Sequence, residues 1–226
     1  MYARLLATFC LLASSMPIAR AASSAGAIAA VSLRLRSGTV PASAWEELRK
    51  ELALLMNVAG VATQWEDPTS YRDVSGYIVV VDLEGDCSVP FHVEIPPVQD
   101  GMPIGSTATV DNHLLPFVNV NCSVLTALLA PFISDQPEAF REFVFGRALG
   151  RVLAHELYHI VTQSGDHLDS GLAKASFSAG DLMKNGFEFD EMALSRISDS
   201  QSTESAAAAI DSGGPAGFRD GAADGK

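Results

Sequence analysis

The chain has 226 residues and carries 27 acidic side chains against 15 Lys and Arg, a formal charge of −12. That excess repels phosphate backbones and anionic membrane surfaces, which excludes nucleic acid as a partner class and suits cationic peptides instead. With 48% hydrophobic residues, the chain can bury the core of one domain.

Arg4 precedes an apolar run over 5–13, and Ala19-Arg20-Ala21 follows it. A basic start, an apolar run shorter than the roughly 20 helical residues that cross a bilayer, and small residues at 19 and 21 predict a secretory signal peptide. Cleavage after Ala21 removes Arg4, Arg20 and no acid, taking the formal charge from −12 to −14. The mature chain, 22–226, is then secreted or periplasmic, with no stable membrane anchor. Cys10 leaves with the peptide. Cys87 and Cys122 remain as an even pair in an oxidising compartment, where a structural disulfide is expected.

Residues 31–36 alternate as a strand. Ser43 is predicted to open a helix through Asn57, with Glu46 completing a capping box and Trp45, Leu48, Leu52 and Leu55 forming its core face. A strand over 58–65 and a turn at Asp67-Pro68-Thr69-Ser70 follow. The β-branched run 77–83, bordered by Gly76 and Gly85, is the strongest strand signal, with 91–95 as its expected partner. Residues 96–103 read as a loop, and 107–111 and 117–122 as extended. This order predicts an α+β fold: a twisted mixed sheet with two main helices packed on it. One domain over 22–198 is expected, with an upper lobe over 30–165 and a small, mainly helical lower lobe over 166–198. From Asp199 the chain is Ser, Ala, Gly and Asp with almost no large apolar residue, so 199–226 is predicted to be a disordered tail.

The second main helix has Asp135-Gln136-Pro137-Glu138 as its capping box and Ser164-Gly165 as its stop. At about 100° per residue, Ala148, Val152, His155 and His159 share one stripe. Leu149, Leu153, Leu157 and Ile160 form an apolar stripe beside it, and Arg147, Arg151 and Tyr158 a polar one. Gly146 and Gly150 each weaken a helix interior by about 1 kcal/mol, so they mark either close backbone packing or a break into two helices.

This helix carries His155-Glu156-Leu157-Tyr158-His159. Residues four apart share a face, so both imidazoles can converge on one Zn²⁺, with Glu156 about 100° round beside it. Histidine nitrogens suit zinc, the metal acidifies a bound water, and a neighbouring carboxylate can take that water's proton. Three of the chain's five histidines fall within 155–167. His167 is therefore the leading third ligand, just past Gly165 where the chain leaves the helix. Asp166 and Asp169 read more simply as turn residues, and Glu188 and Glu191 stand at long spacing. His92 and His113 read as structural or surface residues.

These residues resemble the zincin metallopeptidases, and within them the metzincin clan, whose signature is H-E-x-x-H-x-x-G-x-x-H. Here Thr162 stands at the glycine position; Gly165 comes three residues later than the family glycine and His167 two later than the family histidine, as if the helix ran almost one more turn. The stretch 150–182 is also similar to secreted bacterial proteins containing H-E-L-Y-H. The resemblance implies a methionine turn beneath the metal, for which Met183 is the candidate. Residues 178–185 also read as a short capped helix ending at Gly186, with Met183 as core filling, and both readings stand. It further implies a cleft between the lobes in which an edge strand binds an extended peptide. The expected function is a secreted zinc metallopeptidase acting on peptides or proteins, with Glu156 as general base and His155, His159 and His167 holding Zn²⁺. Two alternatives share these residues: a secreted binding protein whose zinc has its fourth position filled by Asp166 or Asp169, and a zinc hydrolase of a non-peptide amide.

Overall fold

The computed structural model describes residues 30–66, 77–92 and 102–211. In chain order these form β1 (Ala30–Ser37), α1 (Ala42–Val58), β2 (Ala62–Trp65), β3 (Tyr77–Glu84), β4 (Gly105–Val110), β5 (His113–Asn121), α2 (Cys122–Ile133), α3 (Glu138–Thr162), α4 (Ala179–Met183) and α5 (Glu191–Asp211). Alternation builds the sheet: Leu33 lies opposite Val79, Val81 opposite Val118 and Leu83 opposite Val120, so one face is a continuous apolar surface. The strand order is β2-β1-β3-β5-β4. β2, β1, β3 and β5 run parallel, while β4 lies antiparallel on the outer edge of β5. The result is the expected α+β fold with a mixed five-stranded sheet.

Several local expectations change. α1 runs on to Val58 and turns at Gly60, whose φ of 76° requires little side chain, so the strand predicted over 58–65 begins only at Ala62. Ser43 does not cap α1. The N-cap is Pro41, whose side chain has no acceptor to offer, and the Ser43 hydroxyl donates instead to Glu142 on α3. Asp135 likewise does not cap α3, whose N-cap is Pro137; its carboxylate faces the exposed His92 ring at 2.8 Å. The predicted partner strand 91–95 begins as a turn at Phe91 and His92, and its remainder lies outside the described residues, as do 67–70 and 1–21. The place beside β3 belongs to β5, whose apolar face meets it in register. β4 and β5 form a hairpin through Asp111-Asn112, both at positive φ, a conformation that Asp and Asn tolerate better than other side chains.

α2 is an element the sequence pattern does not announce. Its 12 residues are apolar nearly all round, so they show no amphipathic period. Asn121 marks its start by accepting the Val124 N–H at 3.1 Å. α5 continues through Asp211, so helix enters the stretch assigned to the tail; alanine holds helical conformation without any need for burial. Residues 212–226 lie outside the described residues. Among the described residues no helix is long and apolar enough to cross a membrane.

α3 is one unbroken helix of 25 residues, which settles the two glycines. A methyl group on Gly146 would collide with the Ala44 carbonyl of α1, and one on Gly150 would lie 2.9 Å from the Leu48 oxygen. They mark close packing of α1 on α3. Gly146→Ala is therefore expected to destabilise the protein by about 1–3 kcal/mol, although alanine favours a helix interior by about 1 kcal/mol. Urea unfolding checks the sign.

Cys87 and Cys122 form a disulfide with Cα atoms 4.8 Å apart, pinning the chain after β3 to the first turn of α2. It closes a loop with a sequence separation of 35, for which chain entropy in the unfolded state corresponds to about 4 kcal/mol. The double variant Cys87→Ser/Cys122→Ser is expected to lose about 2–4 kcal/mol in urea unfolding, and a reducing agent to shift the midpoint of the wild type alone.

Candidate metal centre

The last two turns of α3 carry His155, Glu156 and His159, which are 6%, 4% and 6% exposed. The helix runs to Thr162, and Gln163 then takes a left-handed conformation, φ 48°, with its N–H closing on the carbonyls of His159 and Ile160. That reversal is the late bend suggested by the shifted spacing, made at Gln163 and not at Gly165. It returns the chain so that His167 stacks on His155 with ring centres 5.3 Å apart and meets His159 edge-on at 4.8 Å. One ligand nitrogen from each of the three histidines falls within 4.8 Å of the others.

Backbone carbonyls set the tautomers. His155 Nδ1 lies 2.6 Å from the Leu172 oxygen and His159 Nδ1 lies 2.7 Å from the Ser164 oxygen. A carbonyl can only accept, so both Nδ1 atoms carry the proton and both Nε2 atoms present lone pairs. Those Nε2 atoms are 3.0 Å apart. Two lone pairs so placed repel unless a cation lies between them, and zinc with bonds of about 2.0–2.1 Å would space tetrahedral nitrogens by about 3.3 Å. Burial pushes the His155 imidazole down to about 4, its bond to Leu172 opposing, and lowers His159 for the same reason. Both rings are neutral at pH 7, the form a metal binds. The donor set fits a divalent metal.

Glu156 lines the same cavity. Burial raises its carboxyl to about 7, opposed by the Thr107 hydroxyl, which donates to Oε2 at 2.8 Å. The cavity is about 630 Å³. β4 forms one wall, residues Ala175, Ser176 and Phe177 another, and Leu114, Val124, Leu128 and Val152 give it an apolar side. β4 ends the sheet, so among the described residues its outer backbone edge has no strand partner.

All four residues singled out by sequence, His155, Glu156, His159 and His167, thus converge. Asp166 and Asp169 stay exposed outside the cluster, the Asp166 N–H held by Ser164 Oγ at 3.1 Å as a turn residue would be. Glu188 and Glu191 are exposed and outside it too. Met183 ends α4, which is capped reciprocally by Ser178 and Asp181, and it packs on the core. Phe177, and not Met183, stands edge-on against His155, with ring centres 5.2 Å apart. The polar stripe of α3 is also corrected. Tyr158 is fully buried and Arg151 is 2% exposed, because the segment after α3 folds back over that face. Sequence reasoning misses Thr107, Phe177, Leu172 and Ser164. Leu172 and Ser164 act through backbone carbonyls, which leave no trace in residue type, and Thr107 is 49 positions from its partner.

No family model matches the sequence. No curated protein matches it either.

Proposed function

We propose that this protein is a secreted, zinc-dependent metallopeptidase of the zincin kind. The observation that carries the reading is the three-histidine cluster, with the Nδ1 atoms of His155 and His159 tied to carbonyls, beside a buried glutamate at the wall of an open cavity. His155, His159 and His167 would hold the metal. Bound zinc supplies a Lewis acid that polarises a carbonyl and acidifies water.

The rest falls to the chain. Glu156 accepts the proton of the water that attacks the peptide carbonyl carbon, then delivers it to the leaving nitrogen as the C–N bond breaks. The outer edge of β4 offers backbone N–H and C=O groups to an extended peptide, and the apolar side of the cavity takes one of its side chains. Among the described residues no carboxylate or cysteine joins the three histidines, which supports a catalytic site with an open fourth position over a filled structural one. The disulfide is compatible with export.

Purified residues 22–226, incubated with a peptide library, test the reading. Cleavage that stops on chelation and returns with zinc is the expected result. Absence of cleavage at full zinc occupancy would overturn it in favour of a zinc-binding protein or a non-peptide substrate.

A further inference from the structure

The Glu156 carboxylate is seated against β4. Thr107 Oγ1 donates to Oε2 at 2.8 Å and lies 3.4 Å from the Glu156 backbone oxygen, so one hydroxyl touches both the side chain and the main chain of the same residue. Two positions earlier on the same strand, Gly105 lies against the other carboxylate oxygen. A methyl carbon there would stand 2.5 Å from Oε1 and 2.9 Å from Val152 Cγ1. Residues i and i+2 of a strand face the same way, so Gly105 and Thr107 are adjoining parts of one wall. Glycine weakens a strand interior and is placed where another group must come close. Here the approaching group is the carboxylate.

We propose that Gly105 and Thr107 are positioning residues for Glu156: the glycine provides the space and the threonine the donor that hold the carboxylate in one orientation at the cavity wall. This rests on the reading of Glu156 as general base. A glutamate has three side-chain torsions, the last of them broad, and a base that turns away from the reacting water is lost to the reaction. The wall removes that freedom. β4 then serves the site twice, through its face to the base and through its outer edge to the substrate.

Four zinc-loaded proteins decide it: wild type, Thr107→Val, Thr107→Ser and Gly105→Ala. Each is assayed for zinc content and peptide turnover, and its crystal structure locates the Glu156 carboxylate. Zinc content is expected to stay equal, because the hydrogen bonds that orient His155 and His159 run to Leu172 and Ser164 and not to Gly105 or Thr107. Thr107→Val, nearly the same shape without the donor, is expected to release the carboxylate from the wall and lower kcat by about tenfold to a hundredfold with KM little changed. Thr107→Ser is expected to restore both. Gly105→Ala is expected to displace the carboxylate although Thr107 is intact. A Thr107→Val protein with the carboxylate in its wild-type place and undiminished turnover overturns the proposal. If the wild type cleaves no peptide, the base reading fails by itself. The carboxylate positions then decide the wall alone: displaced in Thr107→Val and restored in Thr107→Ser supports it, unmoved in Thr107→Val overturns it.

Discussion

Replacing Glu156 with Gln is expected to lower peptide turnover by about 10²–10⁴-fold while zinc stays bound, whereas His159→Ala is expected to lose both zinc and turnover. Glutamine has nearly the same shape and its amide oxygen can still accept from Thr107, so the wall of the cavity stays filled. What it lacks is basicity, and general-base assistance is worth about 10²–10⁴-fold. The nitrogens proposed to bind the metal are untouched, since His155 and His159 remain oriented by the carbonyls of Leu172 and Ser164. His159→Ala instead removes a nitrogen from a set of three and leaves the Ser164 carbonyl without its donor. Elemental analysis of each variant beside a cleavage assay separates the two outcomes. Turnover surviving in the Glu156→Gln protein at full zinc occupancy would mean that another group takes the proton.

Arg151→Met is expected to lower stability by about 3–5 kcal/mol and to loosen the segment carrying α4. The guanidinium is 2% exposed, one turn before His155. Its Nε donates to Glu51 on α1 at 2.7 Å, and one terminal nitrogen donates to the carbonyls of Leu182 and Lys184, both at 2.8 Å. One cation thus joins α1, α3 and the segment that includes α4. Burial lowers its pKa and the Glu51 carboxylate opposes that shift. Methionine fills similar volume but leaves Glu51 short of its closest cation, the Leu182 carbonyl without this donor and the Lys184 carbonyl with only the longer bond from Arg147 at 3.4 Å, which is the costly way to break a buried pair. The effect should reach the candidate metal centre. The Leu172 N–H donates to the Glu188 backbone oxygen at 3.0 Å, and the Leu172 carbonyl orients His155, so loosening this segment relaxes a proposed metal ligand. Thermal unfolding and amide exchange across 170–190 are the measurements; a melting temperature equal to wild type would show that the carbonyls find other donors.

The residues of the site were legible because their signal is local. His155, Glu156 and His159 sit within one helical turn and a quarter, and 3.6-residue geometry alone brings both imidazoles to one side. His167 was within reach for a related reason, since a bend close behind a helix can only return the chain to that helix's end. The strands with period two, the first long helix, the short helix capped by Ser178 and the pairing of Cys87 with Cys122 were readable in the same way, from patterns of a few residues or from parity and compartment. Only the tertiary structure decided that β5 lies beside β3, that α2 exists, and that Gly146 and Gly150 are contact points and not breaks. It also decided that Arg151 and Tyr158 are interior, and that Thr107, Phe177 and two backbone carbonyls complete the centre. The physical reason is common to all of these. Each depends on what packs against a residue from a distant part of the chain, and neither helical period, cap chemistry nor residue type records the far side of a contact.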